Sequence, residues 1–148
     1  MTSLPSLVRS PIDPMAVIRA VSNPTNGAVL LFIGAVRQVN DGRGVTGIDY
    51  EAYEAMAQRE LDAIVTEASA RFGTNDVAVQ HRLGELGVED VSVAIAVGHA
   101  HRDAAYEVSR FVIEELKRRV PIWKREHYTD GTREWVDPTR HARAGAPA

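Results

Sequence analysis

VSVAIAVGHAHRDAAYEVSRFVIEELKRRVPIWKREHY, Val91 to Tyr128, is the stretch whose reading decides the fold. Val91 to Gly98 places valine and isoleucine at alternate positions with small residues between, the period-two signature of a strand. From Asp103 the period changes. Ala104, Val108, Phe111, Val112 and Leu116 recur at three- and four-residue steps, which predicts a helix to about Val120. Asp103 and Glu107 suit its N-terminal end, and Lys117, Arg118 and Arg119 complement the dipole at its C-terminal end. Pro121 breaks the helix. Ile122 to Tyr128 then reads as a strand, with Lys124 and Glu126 on one face and Trp123 and Arg125 on the other. Basic and titratable side chains thus gather at both ends of one helix, and the pattern alone leaves open whether the two groups meet.

Upstream, Asp13-Pro14 opens a short helix carrying Met15, Val17, Ile18 and Val21, which Asn23-Pro24 ends. Ala28 to Val36 (AVLLFIGAV) reads as a strand with a packing bulge at Gly34. Arg37 follows it. Gln38 to Gly44 is rich in turn residues but lacks the spacing and the following helix of a phosphate loop, so it reads as a mobile hairpin loop. Val45 to Tyr53 is expected to pair back on the first strand, packing through Val45, Ile48, Tyr50 and Tyr53. A helix from about Ala55 to Phe72 presents Met56, Ala57, Leu61, Ile64, Val65, Ala68 and Phe72 as one apolar stripe, with Met56 read as a core residue and Gly73 as the stop. Asp76 to Arg82 alternates as a strand, Leu83 to Gly87 turns it, and His81 reads as a hydrogen-bonded structural histidine. After Tyr128 come a turn at Thr129-Asp130-Gly131 and a short strand at Glu134 to Val136. The residues from Arg140 to Ala148 read as a disordered tail. The expectation is a single α+β domain of antiparallel strand pairs with about three helices, its core about residues 12–137 and its tail 138–148.

Composition narrows the function classes. At 148 residues, with 45% hydrophobic and 25% charged residues, the chain matches an ordinary soluble globular protein. A net charge of −3 argues against a general nucleic-acid binder, so the Arg/Lys clusters read as a local anion site. With no cysteine there is no disulfide, no thiolate metal ligand and no thiol nucleophile. No apolar run reaches the roughly 20 residues of a membrane span, and the start lacks the apolar core of a secretory signal. The expected location is the cytoplasm.

His99 and His101 share a face if the strand continues, and such a pair can ligate a metal, as in a metal-dependent hydrolase. With no third ligand in register, the reading preferred here is no metal. The strand instead ends near His99, and His101 and Arg102 stand at the mouth of the helix, where free N–H groups attract anions. Lys117 reads either as a dipole complement on a solvated face or as half of a functional pair, and Lys124 either as a strand-surface lysine or as the other half. If Pro121 folds the strand back, mutual repulsion and partial burial would lower at least one pKa, which suits proton transfer or covalent work.

Leu31 to Arg37 (LFIGAVR), Tyr50 to Ala57 (YEAYEAMA), His81 to Leu86 (HRLGEL), His101 to Tyr106 (HRDAAY) and Leu116 to Glu126 (LKRRVPIWKRE) occur in the order, and with the content, that closely resembles the large, catalytic subunit of molybdopterin synthase. The resemblance runs from about Gly27 to Val136. It implies an α/β hammerhead-type α+β fold and a sulfurtransferase of molybdenum cofactor biosynthesis with no cofactor of its own. It also implies a homodimer of this chain within a heterotetramer, where each copy binds a small ubiquitin-like (MoaD-like) sulfur-carrier subunit. Sulfur from the thiocarboxylate on the carrier's C-terminal Gly-Gly tail would convert cyclic pyranopterin monophosphate into the molybdopterin dithiolene. Neither nucleic acid nor membrane is an implied partner.

By the same resemblance, Phe32 and Arg37 come from an FxGxVR motif, His101 and Arg102 from an HR motif, Lys117 from the helix-end LK, and Lys124, Arg125 and Glu126 from PxWKxE. It implies Lys117 and Lys124 as catalytic, and Phe32, Arg37, His101, Arg102, Arg125 and Glu126 as substrate-binding. Arg37, His101, Arg102 and Arg125 would hold the cyclic phosphate and pterin, since guanidinium binds phosphate as a fork. Ala35 stands where some relatives carry a basic residue, and the segment after Trp135, with Arg140, aligns poorly. The second reading is a non-catalytic anion- or nucleotide-binding module of the same fold, which would keep the arginines and tolerate loss of both lysines.

Overall fold

A computed structural model describes residues 4–136; the expected tail, with Arg140, lies outside them. Its strands form two sheets. In the first, β1 (Leu7–Val8), β5 (Val77–Arg82), β7 (Val91–His99) and β2 (Ala28–Ala35) lie side by side in that order. β7 is central and buried from Ser92 to Gly98 because helices cover both its faces. Val93, Ile95 and Val97 join Leu61 and Ile64 of α2 (Glu54–Phe72) and Val108 and Val112 of α3 (Arg102–Arg119) in the main core. Ala94 and Ala96 face the other way, against Val17 of α1 (Pro14–Ala20) and Val21 just after it. The large–small alternation of the opening stretch is therefore two-sided packing: large residues meet two long helices, and small ones let one short helix approach.

The second sheet runs β3 (Val39–Asn40), β4 (Arg43–Ala52), β8 (Ile122–Tyr128), β9 (Arg133–Val136), with β6 (Gly84–Gly87) also paired to β4. Val36, Val45, Ile48, Leu86 and Tyr128 form its own small core. α3 belongs to the first sheet and β8 to the second. The junction between them is Val120, forced into an extended conformation (φ −80°, ψ 125°) by the proline that follows.

Helix boundaries follow their local chemistry. Met15 N–H donates to Asp13 Oδ1 at 3.0 Å to cap α1, and Gly73 ends α2 in the left-handed region at φ 70°. The register of β2 shifts between Gly34 and Ala35, the bulge expected there.

Several expectations are corrected. β4 does not pair back on β2; β2 pairs antiparallel with β7, from Ala28 opposite His99, while β4 takes β6 and β8. The central, largely buried β7 needs partners on both edges, and the sequence-distant β2 and β5 supply them. Leu83 to Gly87 is not only a turn. Gly84, at φ 97°, redirects the chain so that β6 can add to β4. Gln38 to Gly44 holds a tight hairpin, with Val39 opposite Gly44 and positive φ at both Asp41 and Gly42, the signature of a two-residue primed turn. Tyr53 and Met56 are exposed, because Tyr53 is the N-cap of α2 and Met56 lies in its first turn. β1 was not anticipated. Among the described residues no helix is long and apolar enough to cross a membrane.

Gly98 tests the two-sided packing. A Cβ there would lie 2.8 Å from the Val21 carbonyl oxygen and against Asn26 Nδ2. Gly98→Ala is expected to cost about 1–3 kcal/mol, read as a lower urea midpoint with an unchanged slope.

Candidate active site

Where the two sheets adjoin, side chains from three segments converge. The last turn of α3 contributes Lys117, β8 contributes Lys124 and Glu126 from one face, and the chain leaving β2 contributes Arg37 and Asn40. Glu126 is 1% exposed. Its Oε1 accepts from Asn40 Nδ2 at 2.6 Å and pairs with Lys124 Nζ at 3.1 Å, while Oε2 is buried with no partner among the described residues. Arg37 Nη2 in turn donates to Asn40 Oδ1 at 3.3 Å. A continuous chain thus runs Arg37, Asn40, Glu126, Lys124. Burial alone would raise the Glu126 pKa, but the Asn40 hydrogen bond and the Lys124 charge outweigh it and hold the carboxyl below its ordinary value.

Lys117 has the opposite surroundings. Desolvation, then the positive charges of Lys124 and Arg37, lower its pKa from the usual lysine value. The charge of Lys124, on the strand that follows Pro121, is thus among those that bear on Lys117. Tyr50 stands opposite Lys124 in the β4–β8 ladder, and its ring meets that of His81 edge-on at 5.0 Å. Phe32, exposed on β2, lies over Gly34 beside Ser92.

Other residues singled out in the sequence lie elsewhere. Arg125 is on the opposite face of β8, where its Nε and Nη2 donate to Asp49 Oδ2 at 2.9 and 2.6 Å. The same oxygen takes His127 Nε2 at 2.8 Å, and the Arg125 guanidinium stacks 5.1 Å from the Trp135 ring centroid. The period-two alternation of a strand makes this unavoidable, since Arg125 is flanked by Lys124 and Glu126. His101 and Arg102, both exposed, begin α3. At 1.5 Å per residue that puts them about 22 Å from Lys117 in the same chain.

His99 is a scaffold residue. A backbone N–H can only donate and a carbonyl can only accept, so its Nδ1 accepts from His101 N–H (3.1 Å) and its Nε2–H donates to Phe72 O (2.9 Å). Among the described residues no group of three or more His, Asp or Glu is placed to hold a metal ion.

Asn40 escaped the sequence reading because a polar residue in a turn-rich loop carries no signal of a partner 86 positions away. Tyr50 and His81 were read as packing and structural residues, and nothing local announced the charges facing them.

A profile of the family described as MoaE protein matches residues 7–119. The molybdopterin synthase catalytic subunit of Synechococcus elongatus is 48% identical over 128 residues, covering 86% of this chain and 78% of that protein. That of Thermoplasma volcanium is 41% identical over 124 residues, covering 84% and 90%. Among solved structures, molybdopterin synthase from Staphylococcus aureus superposes with a TM-score of 0.84 at 34% identity, over 88% of this chain and 95% of that one. The molybdopterin biosynthesis MoaE protein from Burkholderia ambifaria gives 0.76 at 32% identity, over 99% and 100%.

Burial of His81 has a measurable consequence. Desolvation depresses its pKa from 6.5 to about 4, so between those values the unfolded chain binds a proton that the folded protein does not. The stability this group confers is complete above pH 6.5 and is lost as pH falls towards 4, by about 3 kcal/mol in all. Denaturant titrations at pH 7 and 4.5 should show a smaller acid loss for His81→Gln than for the wild-type protein.

Proposed function

This chain belongs to the MoaE protein family, and from that membership we propose that Lys117 and Lys124 act at the reacting carbons of a sulfur transfer. The chain is the catalytic subunit of a molybdopterin synthase, a sulfurtransferase of molybdenum cofactor biosynthesis. It moves sulfur from the thiocarboxylated C-terminus of a small carrier subunit to cyclic pyranopterin monophosphate, forming the dithiolene. No cysteine is needed on this chain, because the sulfur arrives on another.

The observation that carries the assignment is the asymmetry between the two lysines. Lys117 has a lowered pKa and no carboxylate partner among the described residues, so its ammonium gives up a proton more readily than an ordinary lysine. Its role is to protonate the departing oxygen. Lys124 is tethered to a buried carboxylate, so it presents a fixed positive charge that polarises the reacting centre and steers the carrier's tail. Arg37 lies beside them as the anion ligand. Glu126 is assigned the task of orienting Lys124 rather than touching substrate, and Arg125 is released from substrate binding by its engagement with Asp49.

Since α3 separates His101 and Arg102 from Lys117 by about 22 Å, these two residues complete a phosphate site only if a second copy supplies them. That matches a homodimer inside a heterotetramer with the carrier, working in the cytoplasm.

In a reconstitution with thiocarboxylated carrier and the cyclic pterin phosphate, Lys117→Ala should lower dithiolene formation at least about a hundredfold with fold and assembly intact. Undiminished turnover would sink the assignment and favour a binding module. A random mixture of Lys117→Ala and Arg102→Ala subunits tests the second copy. If one site draws on both chains, half the dimers carry one intact site, and activity recovers to about a quarter of wild type. Mixtures as inactive as their parents would place both residues in one chain's site.

A further inference from the structure

β2 is an outer strand of the first sheet, and its sequence is unsuited to an open edge. It pairs with β7 on one side and with no strand on the other among the described residues. Soluble proteins guard such an edge with charge, proline, a very short strand or a bulge that twists it away. AVLLFIGA, Ala28–Ala35, has eight residues with no charge and no proline, and its register shifts only at the last step, between Gly34 and Ala35. None of the eight is buried, although all are apolar or glycine. Val29 and Ile33 project from one face of the strand and Phe32 from the other, and they are 49, 39 and 36% exposed. Apolar surface thus lies open on both faces, beside a row of unpaired backbone groups.

Two observations say what covers it. An isologous pair sets a strand against its own sequence, so a charged edge would repel its copy, and β2 carries no charge. The second observation is the placement of the strand's ends. Ala28 lies opposite His99, at the end of the sheet where His101 and Arg102 begin α3, whereas Ala35 leads to Arg37 at the Lys117 end. Seven steps at about 3.4 Å make β2 about 24 Å long, against about 22 Å from Arg102 to Lys117 along α3.

We propose that β2 pairs antiparallel with the β2 of a second copy, about a two-fold axis perpendicular to the sheet that passes through Leu31 or Phe32. The proposal rests on the reading above that a second copy supplies His101 and Arg102. Antiparallel pairing exchanges the two ends, and because the lengths match, His101 and Arg102 of one copy come beside Arg37 and Lys117 of the other. α3 packs on β2 as well as on β7. The axis keeps both copies of α3 on one face of the joined sheet, start beside end, and completes both sites at once. Directly opposed residues must share a face, so the axis passes through a residue and not between two. Leu31 and Phe32 are the choices that keep seven of the eight residues paired.

A chain without cysteine allows an unambiguous trap. Opposed residues of an antiparallel pair have Cα atoms about 4.5–5.5 Å apart, within disulfide range, whereas diagonal neighbours at about 7–8 Å are out of it. Under mild oxidation of the assembled enzyme, one of Leu31→Cys and Phe32→Cys should therefore form a covalent dimer and the other should not. Ile33→Lys, at an exposed position, should keep its circular-dichroism spectrum, elute without the second copy and form dithiolene at least about tenfold more slowly.

Failure of both cysteines to cross-link, or Ile33→Lys remaining a dimer, would overturn the proposal. An Ile33→Lys dimer that had lost only the carrier would give this edge to the carrier instead. Cross-linking together with inactive mixtures of Lys117→Ala and Arg102→Ala subunits would uphold the strand interface and refute only the shared site.

Discussion

A carboxylate taken almost wholly out of water is the constraint around which this site is built. Isolated, an ion like Glu126 costs several kcal/mol to bury, and it is tolerated only where partners compensate it. The compensation comes from two directions. Lys124 reaches it from its own strand, and Asn40 reaches it from the hairpin that follows β2. The same pairing therefore pins a connecting loop to the second sheet, brings Arg37 alongside, and orients a lysine. A network in which each member answers another's unmet hydrogen bond fixes geometry more firmly than any one pair. One Glu126 oxygen remains without a partner among the described residues, which marks the cluster as organised for something other than stability alone.

The two faces of β8 divide labour. One presents Lys124 and Glu126 to the junction with α3, and the other presents Arg125 and His127 to Asp49. Asp49 is drawn below its ordinary carboxyl pKa. Burial pushes it up, and the hydrogen bonds from His127 and Arg125 more than reverse that. It also lies across from Arg125 in the β4–β8 ladder, so its cluster holds the strand whose other face carries the lysine. Motif resemblance placed Lys124, Arg125 and Glu126 together because they are adjacent in sequence. Strand geometry separates the middle one from its neighbours.

Much of the fold was legible because its signals are local. The proline after α3, the left-handed glycine after α2, the Asp13 cap and the period of β7 each act over a few residues. What was not legible was pairing. β4 alternates in a way that suits a hairpin with β2, but its partners lie some 40 and 75 positions downstream, at β6 and β8. The short β1 and β6 are strands only because a neighbour's edge awaits them. The site divides in the same way. Lys117 and Lys124 are visible as charged residues on either side of a helix break. Asn40 matters through a partner that no spacing rule reaches.

The lowered pKa of Lys117 and the anion binding proposed for the site have one cause. Lys124 and Arg37 are the positive charges that would draw a phosphate and a carboxylate-bearing tail to the junction, on a chain whose net charge is −3. They are also the charges that make a third cation uncomfortable there. On the proposed chemistry, a bound anion would screen Lys117 from those charges and keep it protonated until the oxygen departs. Under the same proposal, departure of the oxygen with that proton and release of the anionic product would leave the repulsion to act again. Glu126 does not cancel this tension, because its Oε1 already accepts from Asn40 and Lys124.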